Sequence, residues 1–198
     1  MLGATIKAIP LPALLHGDLL VNEDLDKANI FNNHFKSVFN DSTPPANLPF
    51  SPDLIHDNMP RIDLQVNGIR KLLQEIKTSK ATGPDNISAH VLKNCSWIMA
   101  CYFHIIFSKC LSDHTLPLDW RTAYVVPIHK DGAKTNVANY GPISLTCIAC
   151  KLLEHIIYTN VNRHLEKQSH ITKQQHGFRA TASCSTLLTE FYHDLSVC

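Results

Sequence analysis

No apolar run in this 198-residue chain approaches the roughly 18 residues that a membrane-spanning helix needs. Paired carboxylates are nearly absent. Glu23-Asp24 is the only adjacent acidic pair, and no cluster of Asp and Glu suggests a two-metal site. There is no Walker phosphate loop and no G-x-G-x-x-G dinucleotide fingerprint. None of the 12 histidines sits beside a Ser or Cys nucleophile with an Asp partner. The first fifteen residues carry one lysine and an apolar patch broken by Pro10 and Pro12, so a secretory leader is not expected. Seven cysteines are an odd number, scattered through apolar helical text. They read as buried thiols of an intracellular protein, not as a disulfide framework.

What is present is globular in balance, with 44% hydrophobic and 18% charged residues. The net charge of +1 hides an asymmetry. Residues 1–60 hold 3 Lys/Arg against 7 Asp/Glu, and residues 61–198 hold 15 against 10. The second part is mildly basic, which permits nucleic-acid contact without demanding it.

Along the chain, 1–22 reads as an extended arm with a small hairpin turned at Gly17-Asp18. Asn22 is placed to cap a helix on which Ala28, Phe31, Phe35 and Val38 share one face. Residues 40–60 are rich in Pro and Asn and read as a linker. Asp63 is placed to cap a second helix with Val66, Ile69, Leu73 and Ile76 inward. Gly83-Pro84-Asp85 marks a loop. Ser88 is placed to cap a helix that breaks near Ser96 and runs to about residue 111. Its text over 97–107 is apolar on most sides, which predicts deep burial. Thr146 starts a long helix to about residue 166, Thr172-x-x-Gln175 is a candidate capping box, and Ser183 starts a last helix.

The central stretch is 116–145, LPLDWRTAYVVPIHKDGAKTNVANYGPISL. Residues 123–128 are β-branched and aromatic, Asp131-Gly132 is a turn signal, and 143–145 form a second short apolar run. Together they predict a β-hairpin with Lys130 at the end of one strand and Lys134 in the loop. Cations at the tip of a stiff hairpin can reach a phosphate-bearing ligand. The same spacing also fits a surface hairpin with solvated lysines. Lys151, Lys173 and Arg179 add further cations. Phe178-Arg179 offers a stacking face and a phosphate contact, or else a core plug and a helix-end cation.

Cys147-x2-Cys150-x13-His164-x5-His170 falls in the spacing window of a zinc finger. Geometry opposes that reading. A continuous helix over 151–166 places its ends roughly 20 Å apart, far beyond the reach of one tetrahedral ion.

The order KATGPDNI, LPLDWRTAYVVPIHKDG, NYGPISLTCIACKLLEHII and QQHGFR resembles the reverse transcriptases of non-LTR retrotransposons, jockey-like elements especially. The likeness covers about residue 62 onward, and KANIFNNHFKSVF is similar to the segment such polyproteins carry between endonuclease and polymerase. It implies an α+β fold, mostly α-helical, forming the fingers and the start of the palm of a right-hand polymerase with a small antiparallel hairpin. It implies residues 1–60 as arm, helix and linker, and 61–198 as a partial reverse transcriptase domain. It also implies Mg²⁺ in the intact family, an RNA template or RNA/DNA hybrid as partner, and a palm and thumb supplied elsewhere.

Lys130 matches the nucleotide-binding basic position of the fingers hairpin. Lys134, Lys173, Phe178 and Arg179 are the candidate nucleic-acid contacts. Two departures matter. Gly141 stands where the family has arginine, and no F-x-D-A-F-like strand or aromatic-x-Asp-Asp turn supplies metal-binding carboxylates. The expectation is a truncated polymerase fragment, inactive alone. A residual RNA-binding module and a helical interaction domain docking through Phe31 and Phe35 are the alternatives.

Overall fold

The computed structural model describes residues 11–39, 58–172, 174–179 and 182–197. Most of the expected linker over 40–60, and Lys173, lie outside them. The described chain is mostly helical with two two-stranded antiparallel sheets, an α+β composition. It divides into two compact units, the first built from the described parts of 1–56 with 63–153, the second from 57–62 with 154–198. No helix among the described residues is long and apolar enough to cross a membrane.

In the first unit, β1 (Leu14–His16) and β2 (Leu19–Val21) pair around Gly17, whose φ of 63° is the left-handed conformation the turn requires. Helix α1 (Asp24–Ser37) follows, with Glu23 and not Asn22 at its N-cap. Phe31 and Phe35 are buried, as the spacing predicts, while Ala28 and Val38 are exposed. What covers the two rings is internal. Phe31 meets Tyr140 edge-on, ring centroids 5.0 Å apart, and Leu14 closes the same cluster. With Phe31 only 4% exposed, this face is not available to another protein. Docking through Phe31 and Phe35 is thereby closed: the rings that would face a partner pack against the chain's own hairpin. Lys27 is also buried, its ammonium donating to the Leu11 carbonyl at 3.1 Å and pairing with Asp24 at 3.2 Å.

Helix α2 (Val66–Glu75) packs against α4 (Ser96–Asp113), and the short α3 (Ala89–Asn94) joins them. Ser88 caps α3 as expected, its hydroxyl accepting from the Val91 amide at 3.3 Å. Asp63 does not cap α2. It accepts instead from the Gln65 side chain at 2.7 Å. The expectation of deep burial over 97–107 fails. Ala100, Phe103, Phe107 and Cys110 face inward, but Trp97, Ile98, Tyr102 and Ile105 are each more than half exposed. Helix α2, with α3 and the Trp120 ring, covers only one stripe of α4, however apolar the rest of its surface is. Arg70 of α2 lies over the Trp97 ring, 5.1 Å from its centroid, and shields part of that face.

The GPD loop is locked by close packing. Gly83 is buried, and a Cβ placed on it would stand 2.5 Å from the Thr146 carbonyl carbon and 2.6 Å from Cys147 Cα. Only glycine fits against that backbone. The first turn of α5 (Ile148–Lys167) is therefore seated directly on the loop.

In the second unit, α5 continues to Lys167, and α6 (Cys184–Val197) closes the chain. Ser183 caps α6 reciprocally: its hydroxyl accepts from the Thr186 amide at 3.2 Å, and its own amide donates to the Thr186 hydroxyl at 2.8 Å. The candidate capping box at Thr172 starts no helix. The Gln175 amide donates to the Thr172 carbonyl in a turn.

Candidate nucleic-acid interface

The hairpin is longer on its return side than the apolar text suggests. Strand β3 (Tyr124–His129) pairs with β4 (Tyr140–Leu145), from Tyr124 opposite Leu145 to His129 opposite Tyr140. A 3-10 turn over Leu118–Arg121 leads in. Its carbonyls are held from the start of α5 and the residue before it: the Cys147 thiol donates to the Asp119 carbonyl at 3.3 Å and the Cys150 thiol to that of Trp120 at 3.6 Å. These two cysteines therefore serve the base of the hairpin. Burial, with added repulsion from the Asp85 and Asp119 carboxylates, pushes the Cys147 thiol above its ordinary pKa. Helix α5 is continuous through His164, the geometry that opposes a zinc finger.

The loop over 130–139 is tied by its own polar groups. Gly132 has φ 76°, and its amide donates to the Asp131 carboxylate at 2.7 Å. The Asn139 side chain donates to the Ala133 carbonyl at 2.9 Å, and the Asn136 side chain accepts from the Ala138 amide at 3.0 Å. The Tyr140 hydroxyl donates to the Lys134 carbonyl at 2.7 Å. Tyr140 is itself gripped between Phe31 and His129, whose ring lies 5.2 Å away. Such a loop presents its side chains without a large ordering cost.

Lys130 and Lys134 are both exposed on this loop, and neither is in an ion pair with a described residue. The Lys130 side chain runs across Gly141. A Cβ on Gly141 would collide with Lys130 Cε and lie 3.0 Å from Nζ. The lysine thus occupies the space that a longer residue at 141 would take, a relation no spacing rule announces.

Phe178 and Arg179 lie in the second unit. Phe178 is 96% exposed with φ 61°, which removes the core-plug reading. A bulky side chain held in the left-handed region and pointed at water is an unusual expense. Arg179 forks onto Glu166, Nε at 3.0 Å and Nη2 at 2.8 Å, and donates to the Thr172 carbonyl at 3.1 Å. This clamp fixes the turn that carries Phe178. Sequence reading missed Glu166 because the pair is thirteen residues apart with no motif joining it.

His176 contacts Thr186 at 2.9 Å through Nδ1 and Glu190 at 2.7 Å through Nε2. The layout is triad-like, but the Thr186 hydroxyl donates to the Ser183 carbonyl at 2.8 Å and accepts from the Ser183 amide. A hydroxyl so committed to a helix cap is no nucleophile. The arrangement pins the 176–179 turn to α6. Among the described residues, no group of three or more His, Cys, Asp or Glu is placed to hold a metal ion. The donor set for two Mg²⁺ ions is not met by these residues.

The motif order resembles that of the polymerases of mobile elements, and sequence comparison bears out the likeness. No family model matches the chain. It is similar to several RNA-directed DNA polymerases of Drosophila mobile elements. One is the probable RNA-directed DNA polymerase from transposon BS of Drosophila melanogaster, 26% identical over 170 residues, covering 82% of this chain and 19% of that protein. Another is the probable enzyme from transposon X-element of the same fly, 27% identical over 124 residues, 62% of this chain and 14% of that protein. The RNA-directed DNA polymerase from mobile element jockey is 25% identical over 123 residues, 62% and 13%. The chain thus spans less than a fifth of the length of the curated relatives it matches.

Proposed function

We propose that this chain is the fingers portion of a retrotransposon RNA-directed DNA polymerase. The observation that carries the reading is the braced hairpin with Lys130 and Lys134 exposed at its loop, in a chain similar over 82% of its length to such a polymerase. Lys130 would steer the phosphates of an incoming nucleotide by point charge. Gly141 adds neither charge nor a donor fork, so the hold is weaker than a lysine and arginine together would give. Residues 61–198 act as the partial polymerase domain, with 1–60 as its arm.

These 198 residues contain no Asp-Asp pair. The carboxylates that bind Mg²⁺ in such enzymes, and the palm and thumb around them, have to come from outside this sequence. The chain alone is therefore catalytically silent. A primer-extension assay with Mg²⁺, an RNA template and deoxynucleotides tests this: template-dependent product from the pure chain would falsify it. Photocrosslinking of a deoxynucleoside triphosphate tests the hairpin. Label is expected on the 130–134 segment, and its absence there sinks the assignment of Lys130.

A second reading is a residual RNA-binding module. The exposed Phe178, with its turn clamped by Arg179 and Glu166, favours it. An aromatic face so presented stacks on any base.

A further inference from the structure

We propose a second site, a phosphate-backbone cradle at the end of α5 that binds single-stranded nucleic acid independently of the hairpin. A cavity of about 510 Å³ lies there, lined by Arg61, Asn160, Arg163, His164, Lys167 and Gln168 among others. All its lining residues belong to the second unit. Arg61, Arg163 and Lys167 converge on it, none in an ion pair with a described residue, and no described acidic side chain lines it.

That is an uneconomical arrangement for stability alone. Arg163 and Lys167 stand four apart on one helix face, where like charges repel by a few tenths of a kcal/mol. The carbonyl dipole at a helix C-terminus favours cations in the last turn. It accounts for His164 and Lys167 but not for Arg61, which reaches the cavity from another segment. The nearby carboxylate of Glu166 does not relieve the repulsion, because both its oxygens are taken by Arg179. Three cations that line one cavity, with no described acidic side chain among them, suit an anion.

The spacing indicates which anion. Four residues at 1.5 Å rise set Arg163 and Lys167 roughly 6 Å apart along the helix, close to the separation of neighbouring phosphates along an extended strand. Arginine forks match pairs of phosphate oxygens. Asn160, on the same helical face, gives one side-chain hydrogen to the Ile156 carbonyl at 2.8 Å and keeps a second for a phosphate oxygen. Contacts of this type hold the backbone without reading bases, so affinity does not depend on sequence.

The test is fluorescence anisotropy of a labelled single-stranded oligoribonucleotide with the full chain, between 50 and 200 mM salt. The triple variant Arg61→Gln, Arg163→Gln, Lys167→Gln is compared with wild type and with the hairpin variant Lys130→Gln, Lys134→Gln. Each strand phosphate neutralised contributes about 0.7 to the salt slope, so losing three cations lowers it by about 2. Over this fourfold salt range, wild type should then lose about 18 times more affinity than the triple variant. The single variant Arg163→Lys keeps the charge and should keep most of the slope.

An unchanged slope in the triple variant overturns the proposal, and so does failure of the wild-type chain to bind the strand. If only the hairpin variant loses slope, the cradle is refuted while the hairpin reading stands. If only the triple variant does, the cradle stands and the hairpin is not a strand contact. Inorganic triphosphate separates a free-phosphate site from a strand site. Competition by triphosphate as strong, phosphate for phosphate, as by unlabelled strand refutes the strand. All the substituted side chains, Lys130 and Lys134 included, are exposed, and circular dichroism confirms that each variant is folded.

Discussion

Substituting Gly83 by alanine tests whether the GPD loop truly serves as the seat of α5. One methyl group is added, and the backbone is not forced into a forbidden conformation. The whole effect therefore comes from contact. The new Cβ stands 2.5 Å from the Thr146 carbonyl carbon and 2.6 Å from Cys147 Cα, and it would press on the Cys147 amide nitrogen as well. Those are main-chain atoms at the start of a helix and have no rotamer to escape into. Overpacking typically costs 1–3 kcal/mol, and with backbone as the obstacle we place this case at about 3 kcal/mol. For a chain of this size that is a fall in Tm of roughly 6–12 °C.

Gly68 supplies the internal control. It lies in α2, where a Cβ would find its nearest neighbour, Gln65 Cβ, at 3.9 Å. Gly68→Ala should therefore stabilise by about 0.4–1 kcal/mol, through the unfolded chain and helix propensity. Urea titration followed by circular dichroism reads both. The two substitutions are chemically identical and are expected to move the midpoint in opposite directions. If Gly83→Ala costs under about 1 kcal/mol, or shifts the midpoint the same way as Gly68→Ala, the packing argument is wrong.

Phe31→Ala should cost about 3–5 kcal/mol, as for other buried aromatic truncations, whereas Val125→Ala on the exposed ribbon should stay within about 0.5 kcal/mol; thermal melts compare them. Gly141→Arg should push Lys130 aside and add a donor fork, tightening retention of a deoxynucleoside triphosphate about tenfold, the worth of one charge-assisted bond; equilibrium dialysis showing no gain would count against the hairpin's role. Cys147, buried and raised in pKa, should alkylate far more slowly at pH 8 than the exposed Cys95, Cys101 and Cys184, as peptide mapping can read. Because its folded pKa lies above the unfolded one, its stabilising contribution is complete below the ordinary thiol range and is lost as pH rises through the folded value. A pH series of melts showing stability gained over that window would contradict the sign.

The local grammar of the chain was legible wherever one element decided the outcome. Gly17 could turn β1 into β2, Ser88 could cap α3, and Phe31 and Phe35 could share a face, because each depends on neighbours a few residues away. The readings that failed depended on what covers a surface. An apolar run over 97–107 gives no sign of how many elements pack around it, and only one stripe of α4 found cover. The face of Phe31 and Phe35 was legible as apolar, but what covers it was not, because Tyr140 lies more than a hundred residues on. The candidate site divides in the same way. Lys130 and Lys134 follow from turn chemistry and strand ends. The clamp of Arg179 on Glu166, and the convergence of Arg61 with Arg163 and Lys167, arise only when distant segments meet.

Tyr140 also bears on how the hairpin keeps its alignment. Strands β3 and β4 expose apolar side chains on both faces, with Val125, Ile128 and Ile143 all reaching solvent. A two-stranded ribbon of that kind gains nothing from burying one face, so its strands have little reason to resist sliding past each other. Tyr140 acts as the register key. Its ring is held between Phe31 and His129 while its hydroxyl fastens the loop, so a slide of the strands would have to pull an aromatic ring out of the core. The arm at the front of the chain thus determines which residues the ribbon presents at its tip. Severing α1 should leave the strands paired but the lysines misplaced.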